Sequence, residues 1–129
     1  MGQQQLLLII LGVIIVGIAI AVGLSLFSAQ SVQSNRDAII NDMNNLAAQA
    51  YQYRIRPTSM GGGQGDYSLF TIPHKMRTNE NATYTISGTP SASSITFLAT
   101  SAQNTTNTIT VTINSDGRLG NWTYGGDFQ

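Results

Sequence analysis

Few residues in this chain have both the type and the spacing to do chemistry. His74, within Ile72-Pro-His-Lys75, is the only histidine in 129 residues. General acid–base work would need a nucleophile or carboxylate beside it in a cleft, and no spacing supplies one. A solvated loop histidine is therefore expected. The six acidic residues are dispersed singly. The run Met60-Gly-Gly-Gly-Gln-Gly65 lacks the Gly-Lys-Ser/Thr and the following helix of a phosphate cradle, and reads as a flexible connector. Without cysteine there is no disulfide framework and no thiolate metal site. Three Asn-x-Thr triplets remain, at Asn81, Asn104 and Asn121, in or beside expected loops. They permit N-glycosylation where a cell has the machinery, although such triplets also arise by chance in a chain rich in Asn and Thr. The expectation is a protein that is not an enzyme and holds no cofactor or metal.

Spacing is more informative among the apolar residues. Leu6 to Phe27 carries no charge. As a helix that stretch covers about 33 Å, enough to cross a bilayer, where backbone polar groups must be satisfied within the segment. It exceeds the usual apolar core of a secretory peptide, and the helical pattern passes straight through Ser28-Ala29-Gln30, so the segment is read as retained. Gly17, Ala21, Ser25 and Ala29 recur every fourth residue and form one ridge, and Ala19 with Gly23 forms a second pair. Small-xxx-small ridges let apolar helices approach closely; a single lipid-facing anchor is the plainer alternative. The first charge after the terminal amine is Arg36. A signal-anchor normally has Lys or Arg before its apolar core, so Met1 is expected to be a processed terminus that has lost a basic leader. The alternative is a start residue with weakly set orientation.

The helix must also position a second, aqueous half. Val32, Ile39, Met43, Leu46, Ala50 and Tyr53 repeat at helical spacing, with Gln33, Asp37, Asn41, Asn44 and Gln52 mostly elsewhere, and Pro57 ends the run. Together the halves predict a helix of about 54 residues, roughly 80 Å long. Strands are expected over 67–72, 83–87, 94–99 and 108–113, with a shorter fifth over 119–124. In the fourth, Ile109, Val111 and Ile113 alternate with three threonines, as in an antiparallel sheet with one wet face. Phe70, Ile86, Phe97 and Val111 would need the Val32–Tyr53 stripe as their cover. The fold class is α+β: an apolar helix half over 1–28, an amphipathic half over 29–56, a Gly-rich connector over 57–65, and an antiparallel sheet of four to five strands over 66–129. Charged residues are only 9% and cancel in sign, so no basic stripe invites nucleic acid.

A long helix wrapped by a small sheet, with its apolar half projecting, resembles a bacterial type IV pilin or pseudopilin. The start Met1-Gly-Gln-Gln-Gln-Leu-Leu-Leu-Ile-Ile, the helix through Arg54, and the ending Ile109-Thr-Val-Thr-Ile-Asn-Ser-Asp-Gly-Arg-Leu-Gly-Asn-Trp122 carry the resemblance. It implies cleavage by a prepilin peptidase, N-methylation of Met1, and stacking by an assembly machinery into a filament whose core is a bundle of apolar helices. The implied assembly interface is Met1, Gln5, Leu6, Gly12, Gly17, Ala21, Ser25 and Ala29. Gln5 stands where most of the family has glutamate, so it brings a hydrogen bond but no charge. No proline loosens the apolar stretch; Gly12, Gly17 and Gly23 are its weak points. The family's common C-terminal disulfide is absent. Asp116 and Asp127, flanking the last turn, stand where some pseudopilins bind calcium, but they bring few of the six to eight oxygens that ion takes.

These features predict a major pilin, a homo-oligomeric extracellular filament subunit that is anchored in the inner membrane before assembly. Two alternatives stand beside it: a minor pilin or secretion-system pseudopilin, and a membrane-anchored monomeric periplasmic binding module.

Overall fold

A computed structural model describes residues 2–129. Its first element is one continuous helix, α1, Gly2–Ile55. No proline interrupts that span, and Arg56-Pro57 closes it because proline disfavours the helical region for the residue before it. The chain divides into two compact units, residues 1–33 and 34–129.

In the second unit, α1 buries Asn35, Ile39, Met43, Leu46, Ala47 and Ala50. Steps of three and four residues keep these positions on one face, so a single stripe meets the sheet. The expected stripe is therefore present. Tyr53 is half-buried at its end, Asn35 and Ala47 join it, and Val32 is half-buried within the first unit.

Four antiparallel strands follow as a meander in the order β1-β2-β3-β4: Ala82–Ser87, Ile95–Ser101, Thr108–Ile113 and Leu119–Gly125. Tyr84, Ala99, Ile109 and Tyr124 stand in register across all four, and Ile86, Phe97 and Val111 across the first three. The inner face is apolar and the outer face is a threonine ladder, in which Thr96 and Thr112 share a 3.0 Å Oγ1–Oγ1 hydrogen bond. Phe97 is fully buried and takes the edge of Phe70 at 6.0 Å; Phe70 in turn meets Tyr53 of α1 at 5.4 Å. Helix and sheet thus close the core that the sequence anticipates. The α+β class stands.

One strand expectation fails. Residues 67–72 form no strand. Asp66 Oδ1 accepts the Ser68 N–H at 2.7 Å and Phe70 N–H bonds the Tyr67 carbonyl at 2.9 Å. These local bonds turn the chain twice and compete with a ladder. Tyr67, Phe70 and Ile72 are buried while Leu69 is 81% exposed, a pattern that strand alternation cannot produce. The sheet therefore has four strands, and 119–125 is its edge strand and not a fifth. Between Thr110 and Thr112 the β3–β4 register slips by one residue, with Asn121 at φ 54° inside the bulge.

The glycine run is ordered rather than slack. Gly62 N–H bonds the Pro57 carbonyl, Gly63 N–H that of Tyr53 and Gln64 N–H that of Arg56, at 2.8–3.0 Å. The chain thus folds back to satisfy carbonyls that the end of a helix leaves open. A Cβ on Gly62 would lie 2.2 Å from the Arg56 carbonyl oxygen, and one on Gly63 2.0 Å from that of Asp66, so no other residue fits.

Candidate functional site

In the first unit every described side chain from Gly2 to Gln30 is exposed. Sixteen large apolar side chains between Leu6 and Phe27 stand in the open, with Leu6 at 59% and Phe27 at 74%. Each is worth about 1.5–3 kcal/mol on full burial, so the uncovered stretch represents tens of kcal/mol. By length and composition this part of α1 can cross a membrane. Gln5, Leu6, Gly12, Gly17, Ala21, Ser25 and Ala29 all lie on it; Met1, the expected processed terminus, is outside the described residues.

The small residues are not on one side. At about 100° per residue, Gly17, Ala21, Ser25 and Ala29 centre on one face, while Gly12, Ala19 and Gly23 centre about 160° away. A Cβ added at Gly12, Gly17 or Gly23 meets nothing within 4 Å. Both grooves are open.

A polar knot, invisible in the sequence, ties α1 to the sheet within the second unit. Asp42 Oδ2 accepts the Tyr84 hydroxyl at 2.5 Å, Asn79 Nδ2 at 2.9 Å and Asn81 Nδ2 at 3.1 Å. Partial burial pushes the Asp42 carboxyl up, but the three donors together outweigh it and hold the group below the ordinary carboxylate range. Burial first, then the bond to Asp42 and its charge, raise the Tyr84 phenol. Two turns earlier, buried Asn35 donates to the Asn81 carbonyl at 3.1 Å and accepts from Ser101 Oγ at 2.6 Å. Only the place of Asn35 four residues before Ile39 hinted at burial. Arg54 donates to the Ala92 and Ser115 carbonyls at 3.3 and 2.9 Å, and Arg36 stacks over the Tyr124 ring at 4.3 Å. Among the described residues no buried side-chain N or O atom lacks a hydrogen-bond partner, as in a structural clasp.

His74 is exposed, as expected, but it opens a one-turn helix, α2, His74–Arg77, and does not sit in a loop. Asp116 and Asp127 fall beyond opposite ends of β4, so they are not brought together as a cation site. Among the described residues no three His, Cys, Asp or Glu side chains converge for a metal. The sequons differ in setting: Asn81 is half-buried in the knot, Asn121 occupies the β4 bulge, and Asn104 lies exposed in the β2–β3 loop. Compared with protein-family models, curated proteins and solved structures, the chain matches none.

Proposed function

We propose that this chain is a structural, non-enzymatic subunit that is anchored in a membrane by α1 and then assembles, through that same helix, into a type IV pilus-like extracellular filament. The observation that carries the proposal is the pair of open small-residue grooves on opposite faces of an uncovered, charge-free helix half. A single groove suits a closed pair of helices. Two opposed grooves let each helix meet a different neighbour on either side, and such heterologous contacts propagate into an open array. In lipid the sixteen exposed apolar side chains are solvated by acyl chains; in the fibre, copies of the same helix replace lipid. The resemblance to pilins supplies the remainder of the reading: a prepilin peptidase and an assembly machinery as partners, and Gln5 in the register position near the terminus.

Gly17→Leu and Ala21→Leu test this. Both fill the groove of Gly17, Ala21, Ser25 and Ala29 without adding charge, so membrane-bound monomer should persist while sheared surface fibres disappear from electron micrographs. Normal fibres from both variants would refute the assembly mechanism.

A further inference from the structure

We infer that Asn104 is a site of N-linked glycosylation, and that Asn81, although it matches the same Asn-x-Thr pattern, is not. An acceptor asparagine must present a free Nδ2 on a surface loop, and a turn that gathers the i+2 hydroxyl at that asparagine's amide presents the whole triplet together. At Asn104 both features are present. Thr106 donates twice to Asn104 Oδ1, from its N–H at 3.1 Å and from its Oγ1 at 2.8 Å. Asn104, Thr105 and Thr106 are all exposed, and Nδ2 has no partner among the described residues. The two donors favour the charge that Oδ1 acquires when Nδ2 gives up a proton, so they make that nitrogen easier to deprotonate.

The loop beneath is firmly held. Asn107 N–H closes the turn on the Asn104 carbonyl at 3.0 Å, and Ser101 N–H bonds the Asn107 carbonyl at 2.9 Å. Buried Asn107 also accepts the Asp127 N–H on its Oδ1 at 2.8 Å. A rigid base therefore offers the triplet outward.

The other two triplets lack this arrangement. Asn81 Nδ2 is committed to Asp42, its carbonyl accepts from Asn35 and Ala102, and Thr83 is already in β1. Modifying Asn81 would remove a donor from the knot. Asn121 and Thr123 both lie in β4, and the Thr123 hydroxyl reaches the Asn121 main-chain carbonyl at 3.4 Å rather than its side chain. Asn104 alone displays the acceptor geometry.

In the transfer, Nδ2 attacks the anomeric carbon of a sugar carried on a lipid phosphate or diphosphate. The new C–N bond replaces the C–O bond to phosphate, the lipid phosphate leaves with that electron pair, and Nδ2 loses one proton to a base on the transferase. No oxidant or reductant is needed. The inference rests on the proposed placement of residues 34–129 outside the cytoplasm, where lipid-linked sugar would reach them.

The test is mass spectrometry of the full chain from its native source, with peptide mapping across Asn104, alongside protease accessibility of the intact cell surface or spheroplasts. An added mass of whole sugar residues is expected on Asn104 and none on Asn81. Asn104→Gln and Thr106→Val should abolish it, whereas Thr106→Ser and Asn121→Gln should retain it. A bare Asn104 on protease-accessible protein overturns the site and leaves the filament reading intact, as does sugar on Asn81 instead. A chain wholly shielded from protease overturns both.

Discussion

Asp42 concentrates the chemistry that holds helix to sheet. Its carboxyl is depressed in the folded protein, so near and below its ordinary value the unfolded chain binds more protons than the folded one. The stability it contributes is therefore present above about pH 4 and is lost as pH falls through the lowered folded value. Thermal melts of detergent-solubilised protein should show this acid-side loss, and Asp42→Asn should flatten it. An unchanged acid slope in Asp42→Asn would place the titrating group elsewhere. None of this was legible from sequence. Asp42, Asn79 and Tyr84 carry no motif, the triplet at Asn81 says nothing of a clasp, and only the β1 register and the helix stripe bring the four together. The sequons show the opposite limit, since three Asn-x-Thr triplets match the same pattern on paper and the fold separates them.

At the scale of elements, periodicity did most of the work. The α1 stripe and the alternation of β3 were readable because each buries one face against a single partner. The segment 67–72 was misread because its β-rich composition is overridden by the Asp66–Ser68 turn. The glycine run was misread for a related reason: its hydrogen bonds return to Tyr53 and Arg56, and a local window does not see them. That return makes a testable demand. Gly63→Ala should destabilise the protein by about 1–3 kcal/mol, since the added methyl collides with the Asp66 carbonyl and the Tyr53 ring. Gly120→Ala is the control, because a Cβ there meets nothing within 4 Å and the backbone is not in the positive-φ region. Equal melting of Gly63→Ala and the parent protein would mean that the cap relaxes freely.

For the whole molecule, the division into two compact units separates solubility from folding. The second unit owns the aromatic core, the knot and the helix cap, while the first contributes exposed apolar surface. A chain starting at Ser34 should therefore fold and run as a soluble monomer in size-exclusion chromatography, with a cooperative melt. The full chain should require detergent or lipid. Aggregation of the shortened chain would show that residues 2–33 also support the core.

The bulge around Asn121 has a further effect. An open four-stranded sheet has two outer edges, and unpaired strands of that kind invite intermolecular pairing. Here β4 is kinked by its left-handed asparagine, and part of β1 is occupied by the Thr78–Thr83 bridge beside α2. Edge-to-edge pairing of crowded copies into amyloid-type stacks is thereby disfavoured, so that in the proposed filament the helices would be left to make the contacts.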